Sequence, residues 1–457
     1  MKVLKFGGTS VGTVDSLQNV KKIVETIGEE AVVVVSALGG LTDKLIETAG
    51  KASKGDDSFR DEMSAIKVRH HKIIENVIDE DSREECSNLV DNLLEELGRI
   101  YEGIRLICDL PEKTLDQVVS FGERMSSVIV SRMIPAAAHL DSLEIVKTEK
   151  WFGKNIADAR LTTENIKVQV KPLAGKPIIM GGFISTDRDN GEITNLGRGG
   201  SDFTAALVAA ALDADSLEIW TDVDGFMTSD PRIIPEARII PKMSFVESME
   251  LCSFGAKVIY PPTIYPVFHK NIPIKILNTF NIEAPGTLIK DFSSKDLHKD
   301  GRVRGLSALK GMAIINISGS FAQNLPATAA RTFNALAKRG ISVYLVSPTE
   351  EEDCFSFSLR MADITNAIEL LKAEFAPEIA SGSIQSIEPV KDLAVIAVVG
   401  EDILSHGNIS PRIVNSLQRA QIPVLAISEG ASKTTVTIAV PEPSTNDALR
   451  IIHSLFY

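Results

Sequence analysis

Lys5 stands two residues before a pair of glycines and a pair of hydroxyls, in the run Lys5-Phe6-Gly7-Gly8-Thr9-Ser10. Such a run can hold phosphate: backbone N–H groups and a helix N-terminus face the oxygens while the lysine neutralises their charge. It is not the GxxxxGK[ST] loop, because Gly7 and Gly12 have the spacing but Thr13 stands where the lysine should be. A plain strand-to-helix turn with an exposed lysine is the alternative. A second glycine run is Gly197-Arg198-Gly199-Gly200-Ser201-Asp202. Here Arg198 could grip a carboxylate with two parallel bonds, and Asp202 could position a metal or orient a neighbouring lysine. Equally, Ser201 or Asp202 could be the N-cap of a helix beginning near Phe203. The third group is Thr221-Asp222-Val223-Asp224-Gly225-Phe226, with Arg232 and Lys257 downstream. It follows a strand-like run and suits a binding loop, although Asp224-Gly225 also fits an ordinary turn. Finally, Glu123 in Ser120-Phe121-Gly122-Glu123-Arg124 could receive an ammonium group.

These residues need strand ends and helix starts to hold them, and the chain alternates both. Val3 to Phe6 and Ala31 to Ser36 are short β-branched runs of the kind buried in a parallel sheet, with a helical pattern from about Ser16 to Gly28 between them. From Asp57 to about Asp109 the spacing of Ile66, Ile73, Ile74 and Val77, then Leu89, Leu93, Leu94 and Leu97, is helical, so a helical lobe of about 57–135 is expected. Strand-like runs return at Leu143 to Lys147, Pro177 to Gly181, Ser216 to Thr221 and Ile272 to Leu277, with a helical pattern from Asp202 to Leu212. Residues 1–290 therefore read as one α/β unit and the polar stretch 291–310 as a connector. Beyond it the chain repeats: RTFNALAKRGISVYLVS from Arg331 matches RIVNSLQRAQIPVLAIS from Arg412, at an offset of 81 residues. Two βαββαβ modules follow, 311–385 and 390–457.

The 457 residues carry 48 Lys+Arg against 61 Asp+Glu, a net charge of −13 that repels a phosphate backbone, so no nucleic-acid partner is expected. Four scattered cysteines have neither disulfide-framework nor zinc spacing, and no dedicated metal site is expected. The N-terminus runs into glycine without the apolar stretch of a signal peptide, and no run is apolar enough to span a membrane. A cytoplasmic protein with no membrane partner is the expectation.

Taken together, KFGGTSVG (5–12), VVSALGGLTD (34–43), VSFGERMSS (119–127), GGFIS (181–185), LGRGGSD (196–202), TDVDGF (221–226), TSDPR (228–232) and FGAKVIYP (254–261) resemble the aspartokinases of the amino acid kinase family. The repeat resembles the paired ACT domains found there. The resemblance implies an α/β fold: a three-layer αβα, carbamate kinase-like catalytic domain followed by two ACT-type regulatory modules. It implies transfer of the γ-phosphoryl group of ATP, with Mg2+, to the side-chain carboxylate of L-aspartate, the step that opens lysine, threonine, methionine and isoleucine synthesis. By carry-over, Lys5 and Asp202 are catalytic, and Lys5, Gly7, Gly8, Thr9, Ser10, Thr221, Asp222, Met227, Arg232 and Lys257 take ATP. Ser36, Thr42, Glu123, Arg198 and Ser201 take aspartate, with Arg198 on the α-carboxylate and Glu123 near the α-amino group. Lysine or threonine is the implied feedback effector, near Gln323, Ser342 and Tyr344. A homodimer through the ACT domains, or a tetramer, is implied too. Since no GxGxxG follows the repeats before Tyr457, a monofunctional kinase is expected. Two other readings are a kinase for a glutamate derivative and a non-catalytic amino acid sensor. N-acetylglutamate would leave Glu123 without its ammonium, and a sensor would not need both the phosphate cradle and its cations.

Overall fold

The computed structural model describes all residues except 28–30, 152–153, 174, 293–302, 321–324, 350–353, 404–407 and 430–432. The chain divides into two compact units, Met1–Phe226 with Pro241–Phe245 and Val258–Asp291, and Met227–Ile240 with Val246–Lys257 and Phe292–Tyr457. The expected unbroken run of the first unit to residue 290 does not hold. Residues 227–240 and 246–257 fold with the second unit, where Ile234 enters the apolar cluster of Leu306, Ile396 and Ile438. No described helix is long and apolar enough to cross a membrane.

The first unit is built on an eight-stranded sheet. Strand Lys2–Phe6 lies in its middle, parallel to Ala31–Val35 on one side and to Ser216–Thr221 on the other. Ile178–Gly181 and Ala138–Leu140 continue the sheet beyond Ala31–Val35, and Ile274–Asn278, Thr287–Ile289 and Lys242–Met243 continue it beyond Ser216–Thr221. All five side chains of Ala31–Val35 are buried, which is why that run is apolar throughout rather than alternating. Strand alternation then decides the layers. Leu4 and Phe6 pack with Val33, Val35 and the helices Val14–Ile27, Leu41–Ser53, Phe59–Val77, Glu80–Ile107 and Glu112–Met133. Lys5 points to the opposite face, where the nearly all-apolar helix Gly200–Ala211 packs on the central strands. The result is a three-layer αβα unit with the helical lobe where the periodicity places it.

A smaller four-stranded sheet, of Lys147–Trp151, Lys154–Ala157, Ile184–Asp187 and Ile193–Asn195, has no counterpart in the sequence reading. The expected strand at 143–147 is wrong at all but its last residue. The Asp141 carboxylate accepts the Leu143 amide at 2.9 Å and starts a one-turn helix, Ser142–Ile145, so the strand begins only at Lys147.

The second unit holds one six-stranded antiparallel sheet rather than two separate ones. The 81-residue repeat is real in three dimensions: Leu345–Thr349, Cys354–Arg360 and helix Ile364–Glu374 recur as Ala426–Glu429, Thr435–Pro441 and helix Thr445–Phe456. The first module closes as βαββαβ with residues 384–393 as its last strand. In the second, the corresponding place beside residues 395–399 is filled from elsewhere. Its fourth strand comes from the other end of the unit. Gly305–Leu309, assigned above to the connector, pairs with 395–399, and after a bulge at Lys310–Gly311 the same strand continues as 312–319 into the first module. Leu306 is 3% exposed in the cluster with Ile396, Val398, Ile413 and Ile452. Leu306→Ala should therefore cost about 2–4 kcal/mol of the second module's stability, read as a lower denaturant midpoint. A loss below about 0.5 kcal/mol would show that 305–309 does not complete that module.

Candidate active site

Parallel strands place their C-terminal ends along one edge, and loops from those ends form the site in open α/β sheets where the strand order reverses. Here that point lies beside Lys2–Phe6, flanked by a strand that precedes and a strand that follows the excursion to Ala138–Leu140. At this edge lies a cleft of about 240 Å³ lined by Lys5, Ser36, Thr42, Glu123, Phe183 and residues 197–202. Seven residues singled out from the sequence, Lys5, Ser36, Thr42, Glu123, Arg198, Ser201 and Asp202, thus line one cleft.

The Lys5 ammonium sits 2.6 Å from Asp202 Oδ1, and each side chain is only 12% exposed. Asp202 is also a candidate N-cap by sequence, and the structure corrects this. The N-cap is Gly199 in the left-handed conformation (φ 71°), and Asp202 falls inside the first helical turn with its carboxylate turned to Lys5. Left-handed backbone favours glycine, and a Cβ at 199 would also lie 2.2 Å from Tyr260 Cβ. Gly182 likewise lets Ser201 approach, since its Cβ would lie 2.6 Å from Ser201 Cβ.

Glu123 is 4% exposed, and its Oε2 atom has no hydrogen-bond partner among the described residues. Burial pushes its carboxyl up to about 8, against the smaller opposing pull of backbone donors and of Lys5. At neutral pH it is therefore largely an uncharged acid. Arg198 is exposed in the cleft and has no ion-pair partner among the described residues.

The glycine turn after the first strand works differently from expectation. The Gly7 amide is spent on the Trp220 carbonyl at 3.2 Å, so Gly7 contributes by its missing side chain: a Cβ there would sit 3.5 Å from Lys5 Nζ, over the ammonium. Ser10, expected to face phosphate, is fully buried, and its hydroxyl bonds the Trp220 carbonyl at 3.3 Å and Thr279 Oγ1 at 2.7 Å. Thr9 is exposed on the turn, while Gly8 packs against the 37–39 backbone. Thr279 and Arg69 escape the sequence reading. Arg69 Nη2 donates to the carbonyls of Gly12 and Gly39 at 3.1 and 2.8 Å and so ties the two turns together. A long-range tie of this kind leaves no local pattern in a sequence.

Thr221 ends its strand, with its hydroxyl donating to the exposed Asp222 at 3.3 Å. Asp224 accepts from Asn278 and Asn281, at 2.7 and 3.1 Å, as a turn residue does. Met227, Arg232 and Lys257 belong to the second unit, where Arg232 is bound to Asp230 at 2.7 Å. Gln323 lies outside the described residues. Ser342 is exposed, and the Tyr344 hydroxyl accepts from Arg360 Nε at 3.0 Å.

The fold is that of a three-layer α/β protein, and its cleft holds two cationic side chains, Lys5 and Arg198. A model of the amino acid kinase family matches residues 1–278, more than half of the chain, and the chain belongs to that family. An ACT domain model matches residues 396–456. Over all of this chain, a bifunctional aspartokinase/homoserine dehydrogenase of Haemophilus influenzae is 32% identical, and Aspartokinase 1 of Arabidopsis thaliana is 28% identical. The chain spans 56% of the first of these and 80% of the second, so it is about half the length of the bifunctional relatives. Among solved structures, Escherichia coli aspartokinase III in complex with aspartate and ADP matches with a TM-score of 0.83 and 28% identity, over 99% of both chains. Clostridium acetobutylicum aspartate kinase matches with a TM-score of 0.82 and 26% identity over the full length of both.

Gly199→Ala should cost about 1–3 kcal/mol, because it adds left-handed strain to the overlap with Tyr260. Thermal unfolding checks this, and an unchanged midpoint would mean that the helix start does not need glycine.

Proposed function

We propose that this chain is an aspartokinase, transferring the γ-phosphoryl group of ATP to the side-chain carboxylate of L-aspartate. The observation that carries it is the juxtaposition in one cleft of the Lys5–Asp202 pair, an unpaired Arg198 and a buried Glu123. Solved relatives hold aspartate with ADP, and aspartate with lysine, which supports the same ligands here. The acceptor is already a carboxylate, so the site needs positioning and positive charge more than a base. The aspartate side-chain oxygen attacks the γ-phosphorus, the bond to the β,γ-bridging oxygen breaks, and ADP leaves with that electron pair. Lys5, kept uncovered by Gly7, neutralises charge on the phosphoryl oxygens as the group moves, and Asp202 fixes the ammonium in place. Arg198 takes the α-carboxylate through two N–H donors, and Glu123 the α-ammonium, with Ser36, Thr42 and Ser201 as hydroxyl partners. Thr221 and Asp222 flank the nucleotide.

Magnesium prefers few protein ligands with substrate phosphates and water, and a single well-placed carboxylate, Asp202, fits that demand. Bound with ATP, it would neutralise phosphate charge. The repeated modules support feedback by lysine or threonine, and their edge strands support a dimer through them, with a tetramer as the larger alternative. Cytoplasmic residence completes the reading.

The test is ATP- and magnesium-dependent phosphorylation of L-aspartate, trapped as the hydroxamate, alone and with lysine, threonine or both. Turnover is expected, and its absence with turnover on another amino acid would overturn the substrate. Lys5→Ala should lower kcat by about 10²–10³ and, because it leaves Asp202 buried without its partner, lower the unfolding midpoint as well; near-wild-type turnover of the folded protein would refute its role. Arg198→Ala should raise the KM for aspartate about 10- to 100-fold with a smaller effect on kcat, and an unchanged KM would remove Arg198 from the substrate.

Glu123 gives a pH signature. An ammonium placed beside it must ionise a carboxyl whose value in the free protein is about 8, so aspartate binding at pH 7 should release close to one proton. The release should fade above about pH 9, and the KM for aspartate should fall as pH rises toward 8. Calorimetry in two buffers of different ionisation enthalpy reads the proton, and identical heats would contradict the assignment. For the free protein the sign is opposite: a carboxyl raised above 4.5 contributes stability below that value, lost as pH rises through about 8.

A further inference from the structure

Arg198 is held by no side chain among the described residues, so its place depends on the backbone that carries it. That backbone is a short arch with glycines in the left-handed conformation on both sides, Gly197 at φ 70° and Gly199 at φ 71°. Glycine on both sides makes the arch permissive, and something else must select one conformation. Downstream it is fixed by helix Gly200–Ala211. Upstream the Leu196 amide is held on the Phe183 carbonyl at 2.9 Å and the Gly200 amide closes the arch on the Gly197 carbonyl at 3.0 Å, and the side-chain contact added to these is Asn195, whose Oδ1 accepts the Gly197 amide at 2.9 Å. An Asn amide can flip, and the flipped form would present NH2 to an N–H donor.

Asp116 decides which way the amide faces. Its Oδ1 accepts from Asn195 Nδ2 at 2.5 Å. Burial and the nearby Glu112 carboxylate push Asp116 up to about 6, so at neutral pH it is ionised and can only accept. A carboxylate there leaves Asn195 one orientation, NH2 toward Asp116 and oxygen toward Gly197. Lys113 and Glu192 pair one turn earlier along the same helix–strand contact. Asp116 also stands seven residues, two helical turns, before Glu123 on helix Glu112–Met133. One rigid helix thus touches both ends of the cleft, directly through Glu123 and through Asn195 and Gly197 to Arg198.

We propose that Asp116 is a positioning residue that sets the Arg198 arch through Asn195 and thereby the affinity for the substrate carboxylate. This rests on the aspartokinase reading for its kinetic consequence, while its structural consequence stands apart. Asp116→Ala and Asn195→Ala should each raise the KM for aspartate about tenfold, with kcat and the KM for ATP within about twofold of wild type. The double variant should be no worse than either single one, since both break the same relay. Asp116→Asn, which can accept but can also donate, should recover only part of the affinity.

The second arm is limited trypsin digestion of the intact protein, with cleavage after Arg198 followed by mass spectrometry. A loosened arch should be cut about fivefold faster in Asp116→Ala than in wild type, at temperatures where both are folded. Unchanged cleavage after Arg198 overturns the proposal, as does an unchanged KM for aspartate or an additive double variant. Wild-type protein that turns over no aspartate but shows faster cleavage in the variant overturns only the substrate reading.

Discussion

The ion pair between Lys5 and Asp202 is the contact on which the rest of the first unit depends. Two charges largely withdrawn from water are tolerable only together, and losing one partner leaves the other buried and uncompensated. The pair joins the central strand to the first turn of the helix on one face of the sheet, so the start of that helix must be fixed to a fraction of an ångström. Glycine does this at 199, where the helix begins in a left-handed residue beside Tyr260, and at 182, where Ser201 needs the room. The strand end is fixed from the other side by Ser10, whose buried hydroxyl ties the turn to Trp220 and Thr279.

Charge in the cleft is arranged against the charge of the whole chain. The protein carries −13, yet in the cleft Lys5 and Asp202 balance each other, Arg198 is unopposed and Glu123 is neutral before ligand arrives. Burial therefore does two things at once. It strengthens the local field of the cations, and it removes the Glu123 charge that would repel an anion.

What can be read from residues alone is whatever local spacing encodes. The β-branched run at 31–36, the strand-like run at 216–221, the helical lobe and the glycine turns at 7–8 and 197–200 all carry their structure in local spacing. Side-chain use is less legible. Ser10 reads as a phosphate ligand because hydroxyls beside glycines often are, yet its partner, Thr279, lies 269 residues away. Asp202 reads as a cap by the same local logic, and only the position of Lys5 across the sheet turns it away from the helix. Strand Ile193–Asn195 and the others of the small sheet are three to five residues long, too short for a period to register.

The second unit shows how a repeat can be read correctly and its closure missed. Counting forward from each copy gives two complete modules only if a strand follows the last helix. The sheet is completed instead by Gly305–Leu309, which enters before the first module and runs through a bulge into that module's own opening strand. A single continuous strand therefore belongs to both halves. The same strand also bonds the segment that leaves the catalytic sheet at Phe226: the Leu306 amide donates to the Thr228 carbonyl at 2.8 Å, while the Thr228 hydroxyl shares a 3.1 Å hydrogen bond with His453 of the last helix. That segment returns to the catalytic sheet at Pro241. Residues shortly after Thr221 and Asp222 in sequence are thus anchored to the strand that the two repeated modules share. This is the physical reason why the boundary between units cannot be drawn at one residue, and why a polar stretch with no apolar period is a poor guide to where the second unit begins.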